Sequence, residues 1–543
     1  MVFARRSTTL LAAIIASCAM VLSLTACTSD NKTVVDGQTT VTSNSAGGVA
    51  VFTPSDGTTL NQQTPLNKWA KLVPDLAKAL ADAGFKKGDI DHTTSDSLAK
   101  QSRAIQDFVV DHLSNNTTDD SGIAIAPDNM TLLVAPVVEA DASTRQYGDY
   151  ISQNLSTNDA TDGEATSDGE SSEDDSSKDD SSNTESDSTA SDEQAQAVDR
   201  LVSSLKLAKE SGMHVVLLGN SIEGYKPDAF VKFSDAQTIG KLQAEKMVSK
   251  LKLDKASKDN PKYIEVLLPY TAVDEKGNAN DSTFAQEAFR GIWQVLGSYY
   301  QKGVVESPSG TLDGKSTEND WQAVAYDAAK EGSTAKVLDK RLAKTDGQST
   351  LTRIDGIIRM NDYIASEVVK DLDDLGYTGS AADINPQITI SGIVGNITGK
   401  KDLSRDAVPD PIKSPENDNA NDSSSSDDDA DEDTSASDKD RDSQWPLVTG
   451  YGAYVSNIPS IVNGKQWMTG MEDRQTIATD IAQACAKLNK DEALNSMPSI
   501  RNSEVGGVKK IPTISEPLLA VSASNLKSAL IDPGYISLAD AGL

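Results

Sequence analysis

A two-lobed α/β fold is what this sequence predicts, and three observations predict it. Short apolar runs of four to six residues alternate with helical stretches of 12 or more, the rhythm of βαβ units and parallel sheets. That rhythm runs through two successive sets, one on either side of residue 221. Two Ser/Asp/Asn-rich runs without aromatics interrupt it; they bury nothing and are expected to stay disordered as insertions.

The elements follow in order. Val49 to Thr53 is strand-like, and Leu66 to Gly84 places Leu72, Val73, Leu76, Leu80 and Ala81 on one helical face. Ile105 to Leu113 is helical, Thr131 to Val137 is β-rich, and the amphipathic stretch Ala195 to Ser211 leads into the buried-strand run Val215 to Leu218. The second set reads as helix Ala236 to Leu251, strand Tyr263 to Leu268, helix Thr283 to Tyr300 and strand Gly303 to Glu306. It continues with helix Trp321 to Leu342, strand Gly356 to Met360, helix Asp362 to Leu375 and strand Pro446 to Gly450.

The chain has 543 residues, 50 basic and 82 acidic, for a net charge of −32. Residues 158–193 contribute −13 and residues 415–443 contribute −10, leaving −9 for everything else. Nucleic-acid affinity is built from clustered Lys and Arg, so no nucleic-acid partner is expected. The cysteines are Cys18, Cys27 and Cys485, without a CxxC pair, which excludes a disulfide framework for the mature body. His92, His112 and His214 are scattered, so neither a His-based metal site nor a catalytic triad is indicated. Cys485, on an apolar helix, reads as a small packed hydrophobe.

The first 26 residues have the three parts of an export signal: Arg5-Arg6, an apolar run from Leu10 to Leu24, then small residues. A run of about 15 apolar residues is short for a membrane span of roughly 20. It ends Leu24-Thr25-Ala26-Cys27, which resembles the lipobox of bacterial lipoproteins and implies a lipid anchor on Cys27 at the outer face of the cytoplasmic membrane. Residues 27–48 then read as a flexible tether.

Several chemical motifs fail. Gly450-Tyr451-Gly452 follows a strand, but Val455 stands where a dinucleotide fingerprint needs its third Gly. Gly399-Lys400 lacks the first Gly and the Ser/Thr of a P-loop, having Val394 and Lys401 there. Gly219-Asn220-Ser221 cannot open a nucleophile elbow with Glu223 in place of the last Gly. Asp438, Asp440 and Asp442 space like a calcium loop, but Ser443 and Thr449 replace its Gly and Glu. No enzyme, cofactor or metal is indicated.

One series of blocks carries a resemblance. Gly212 to Leu218, Phe230 to Asp235 and Gly240 to Gln243 resemble the lobe junction of type I solute-binding proteins of ABC sugar importers, especially the xylose and multiple-sugar branch. Lys68-Trp69, Phe289-Arg290-Gly291, the "DGIIRMND" of Asp355 to Asp362, Val448-Thr449-Gly450, Asn463 to Thr469 and Pro517 to Asn525 fall in the family's order. The resemblance implies two Rossmann-like lobes (the type I periplasmic binding protein fold) joined by a three-crossing hinge and closing on a carbohydrate. Its partners would be that small-molecule ligand and an ABC permease, and the protein would be a monomer.

On that frame, residues 49–221 form lobe 1 with an acidic insertion at 156–194, and 222–451 form lobe 2 with an insertion at 414–443. Residues 452–483 return to lobe 1 and 484–543 close lobe 2. The ligand-binding positions carried over are Lys68, Trp69, Asn220, Asp235, Asn280, Asp281, Asn361, Asp362 and Tyr451. The chain departs from its relatives at several of them: Gly219-Asn220 replaces Asp-Arg, Phe233-Ser234-Asp235 replaces Phe-Asp-Asn, and Gly450-Tyr451-Gly452 replaces Gly-Gln-Asp. An Asp-Asn-Asn-Ala cluster is replaced near Asn280-Asp281-Ser282. Trp69 would stack on a ring or pack on its own lobe, and Asn361 or Asp362 would reach the ligand or cap the next helix. Trp467 and Met468 read as core. The expected function is an exported solute-binding lipoprotein that delivers a sugar-like ligand. The alternative is the same fold, its cleft degenerate, acting as a surface sensor or protein-interaction module.

Overall fold

Alternation of apolar side chains on both faces makes the first sheet a fully covered one. In a computed structural model, which describes residues 46–55, 65–115, 125–138, 147–150, 153–156, 184–272, 282–328, 330, 332–343, 351–381 and 445–543, this sheet has seven strands. Their order is Ile500–Val505, Val508–Ile514, Ala229–Val231, His214–Leu218, Met130–Val134, Gly48–Pro54 and Ile90–Ser95. All neighbours are parallel except the hairpin of the first two. Val49, Val51, Leu133 and Val216 face one core with Leu72, Leu76 and Leu80 of helix Trp69–Asp82 and Ile477 and Ile481 of helix Arg474–Leu488. Ala50, Phe52, Leu132 and Val215 face the other, with Ile105 and Val109 of helix Leu98–Asn115 and Leu201 and Leu205 of helix Thr184–Glu210. This is the doubly wound arrangement that parallel strands require.

The second sheet runs Val305–Glu306, Lys262–Val266, Gly356–Ile358 and Leu447–Val448, all parallel. Helices Ala236–Leu251 and Thr283–Gln301 pack on each other at two glycines. A Cβ on Gly240 would lie 2.3 Å from the Ala288 carbonyl oxygen, and one on Gly291 would lie 2.0 Å from that of Gln237. Backbone meets backbone there, so only glycine fits.

The chain passes between the two sheets through Lys232–Asp235 and again through Thr449–Asp473. After Ile514 the chain forms Leu519–Ser522, which pairs antiparallel with Met468–Met471 of the second passage as a separate ribbon. A further apolar cluster beside this ribbon joins Leu66, Ile458, Ile461, Met471, Val521 and Leu530. Trp467, Met468 and Cys485 are buried in apolar clusters, as expected.

Three expectations are corrected. The lobe boundary lies past Val231 rather than at 221, because Ala229–Val231 is hydrogen-bonded within the first sheet on both sides. The stretch 484–543 does not close the second lobe: Ile500–Ile514 edges the first sheet, where Ile511 and Ile514 are buried. The long helix at Trp321 to Leu342 is broken into Trp321–Val324, the strand Ala325–Tyr326 and Ser333–Arg341. Pairing of Ala325–Tyr326 with Leu268–Pro269 and the left-handed Gly332 (φ 69°) win over helical periodicity. The helix ending at Glu210 begins at Thr184, inside the first acidic stretch. The stretch 414–443, Cys27, Asn280 and Asp281 lie outside the described residues.

Candidate functional site

In open parallel sheets, ligands bind beyond the carboxyl ends of the strands. At that end of the first sheet the side chains are aromatic and tightly packed. Trp69, 3% exposed, meets Tyr150 edge-on at 5.1 Å and Phe233 at 5.8 Å, while Tyr150 and Phe233 stack at 4.7 Å. The structure therefore packs Trp69 on its own lobe. Lys68 pairs with Asp149 at 2.8 Å, and the other Asp149 oxygen accepts from the Trp69 backbone N–H at 3.1 Å. The buried Asn220 is a latch: its Oδ1 accepts from Gln153 N and its Nδ2 donates to the Pro136 carbonyl.

Asp235 closes the first crossing and caps helix Ala236–Leu251, accepting from the Thr238 backbone N–H at 2.7 Å and pairing with Lys232 at 2.8 Å. Burial works to raise its carboxyl, but the hydrogen bonds from Lys232 and Thr238 outweigh it and hold the group below its usual range. Asn361 caps Asp362–Leu375 by accepting from Ile364 N at 3.0 Å.

At the second sheet the buried groups are charged. Asp362 Oδ1 accepts from Gln466 Nε2 at 2.6 Å, and Oδ2 accepts from Thr469 Oγ1 at 2.8 Å and Tyr454 N at 3.0 Å. Asp362 thus bolts a helix start to the second crossing. Burial raises its carboxyl against those bonds. Three residues upstream, at the end of strand Gly356–Ile358, Arg359 is fully buried. Its guanidinium nitrogens have no hydrogen-bond partner among the described residues, and burial lowers its pKa to about 9.

Between these two regions, Tyr451 shares its hydroxyl with Ser234 of the first crossing and lies 3.3 Å from Glu472 Oε1, which also accepts from Ser234 N at 2.6 Å. Burial pushes Glu472 up to about 7 and Tyr451 well above the usual phenol range. Tyr147, beyond the first sheet, packs on Phe284 at 4.7 Å and on Tyr451 at 6.3 Å, within the second lobe's core.

Seven predicted site residues are thus found near the carboxyl ends of the strands or in the passages between the sheets, each with a protein partner. Sequence reasoning missed Arg359, Glu472 and Tyr150. Arg359 carried a signal: it is the one charge within the apolar run Ile357-Ile358-Arg359-Met360. Among the described residues, no group of three or more His, Cys, Asp or Glu is placed to hold a metal, and no helix is long and apolar enough to cross a membrane.

The described residues thus form an α/β fold of two main sheets, seven-stranded and four-stranded, dominated by parallel pairing, with the chain passing between them through Lys232–Asp235 and Thr449–Asp473. No family model matches the chain, and no curated protein matches it. Among solved structures, an ABC transporter solute-binding protein from Clostridium phytofermentans with bound β-D-glucose is similar at 16% identity, covering 91% of this chain and 99% of its own, with a TM-score of 0.44. A carbohydrate transporter solute-binding protein from Chloroflexus aurantiacus in complex with D-glucose has 18% identity, 91% and 98% coverage and a TM-score of 0.42. A periplasmic ribose ABC transporter protein from Conexibacter woesei has 13% identity, 90% and 96% coverage and a TM-score of 0.42.

Proposed function

We propose that this chain is an exported, lipid-anchored solute-binding protein, held to the outer face of the cytoplasmic membrane through Cys27. It takes a small hydroxylated, sugar-like ligand between its lobes and presents it to an ABC permease, as a monomer and without catalysis. The observation that supports this best is the pair of passages between the two sheets, with polar and aromatic side chains gathered at them and at the carboxyl ends of the strands. Hinge closure about a ligand is the signal such an architecture can give. Lys68, Trp69, Asn220, Asp235, Asn361, Asp362 and Tyr451 are the described residues that would frame the crevice in this reading.

A second reading, a sensor or interaction module on the same fold, is favoured by one observation. Trp69, Tyr150 and Phe233 already fill space with each other, and Tyr147 packs on Tyr451, rather than leaving open ring faces. Thermal unfolding of the full chain in detergent, against a panel of mono- and oligosaccharides and sugar acids, separates the two. A ligand at about 100 times its dissociation constant adds roughly 2.7 kcal/mol and raises the midpoint by several degrees. A flat response across the whole panel from a cooperatively folded sample rejects the binding reading in favour of the second.

A further inference from the structure

Arg359 has no structural explanation within its own lobe. It follows strand Gly356–Ile358 directly, at the sheet edge where a ligand would sit. It is fully buried, yet Nε, Nη1 and Nη2 are all without an acceptor among the described residues. A guanidinium presents five donors in a planar fork and is not neutralised by deprotonation in ordinary proteins. Leaving such a group buried and unpaired is among the costliest arrangements a fold can keep.

The nearest opposing charge does not resolve it. Asp362 acts on Arg359 through space, but both of its oxygens are occupied by Gln466, Thr469 and Tyr454, and no carboxylate reaches ion-pair distance among the described residues. The hydroxyl of Tyr326, the other group whose charge Arg359 influences, is engaged with Thr334 at 3.2 Å. Arg341, the other buried arginine of this lobe, shows the contrast. It bonds the carbonyls of Val266 and Val324 and pairs with Glu265 at 3.5 Å. One arginine is built into the lobe. The other is held ready in it.

We infer that Arg359 is the anchor for an oxyanion, a carboxylate or a phosphate, on the small hydroxylated solute that the interlobe site takes. This rests on the solute-binding reading and adds the charge class of the ligand. A planar fork matches two oxyanion oxygens side by side, whereas a neutral hydroxyl would satisfy one donor and leave the charge uncompensated.

The test is titration calorimetry on the full chain in detergent. The probes are glucuronate, galacturonate, gluconate and glucose 6-phosphate, with glucose and galactose as neutral counterparts. At least one oxyanion is expected to bind tenfold or more tightly than its neutral counterpart, and the sugar acids against the phosphate identify which oxyanion is used. Arg359→Met is expected to abolish that preference, with a loss of 100-fold or more for the oxyanion and little change for the neutral sugar. Arg359→Lys is expected to retain part of it. Without ligand, Arg359→Met is expected to unfold no earlier than the parent, since an unpaired buried charge is removed; a purely structural arginine would give a clear loss. Neutral sugars binding as tightly as their acids overturn the anchor while leaving the solute-binding reading intact. No binding by any probe overturns both. Should Arg359→Met fail to fold, the structural role is established and the proposal is overturned, unless Arg359→Lys folds and weakens the oxyanion selectively.

Discussion

The strand ends of the two sheets solve the same burial problem with opposite chemistry. At the first, Trp69, Tyr150 and Phe233 cover the strand ends with aromatic surface, and the polar groups around them, Lys68, Asp149 and Asn220, are fully partnered. At the second, Asp362 and Arg359 are buried ionisable groups, one saturated and the other without an acceptor among the described residues. Stability at the first edge should therefore follow volume and at the second follow charge. A filled aromatic edge gives a fixed wall, and an unpaired cation gives a reason for something to arrive.

Isosteric changes break that comparison most sharply. Asp362→Asn keeps the shape but turns one acceptor into a donor facing Gln466, or facing Thr469 and Tyr454 N, and removes the charge nearest Arg359. A loss of about 3–5 kcal/mol is expected from urea unfolding. Trp69→Phe removes more atoms but no charge, and should cost about 1–2 kcal/mol from lost packing and the cavity left behind. If Trp69→Phe proves the costlier of the two, the division into a volume edge and a charge edge is wrong.

Glu472 ties the edges together and gives the next effect. Its carboxyl is raised from 4.5 to about 7 in the folded protein, with burial as the leading cause. The folded state therefore binds its proton more tightly than the unfolded chain does. The associated stability is fully present below about pH 4.5 and is lost as pH rises through about 7. Glu472→Gln mimics the protonated form and retains an acceptor for Ser234 N and Tyr451 Oη. Between pH 5 and 8 the parent is expected to decline by on the order of 2 kcal/mol relative to Glu472→Gln. Parallel stability profiles would show that this carboxyl is ionised throughout and held by its hydrogen bonds.

Much of the fold was legible because periodicity and punctuation agree. Ala236–Leu251 and Asp362–Leu375 begin after Asp235 and Asn361, which cap them, and the second ends at the left-handed Gly376. The hairpin Ile500–Ile514 also carried a signal, Gly506-Gly507 between β-rich runs, that went unread. Lobe membership was less legible. Ala229–Val231 looks like any short apolar run, and only its pairing with Val216–Leu218 and Thr513–Ile514 assigns it to the first sheet. For the site, sequence could place Asn361 and Asp362 at a strand end, but their division of labour depends on Gln466 and Thr469, about a hundred residues away. Arg359 was legible only as a charge in an apolar run and went unread, while its lack of a partner among the described residues is a fact of three dimensions.

The two capping residues sharpen the comparison at its smallest scale. Asp235 sits in the first crossing, a third exposed, with its charge shared between Thr238 and Lys232. Asn361 is buried beside Arg359 and Asp362 and accepts from Ile364 N. Asp235→Ala should cost about 1 kcal/mol, the ordinary worth of an N-cap. Part of that loss should fade at high salt, because the Lys232 pair is screened there. Asn361→Ala should cost more, about 2 kcal/mol, and be insensitive to salt, because a buried donor is left without its acceptor. Urea unfolding at low and high salt reads both. Equal losses with equal salt dependence would mean that the second edge is as solvated as the first, and the unpaired Arg359 would then be solvated too.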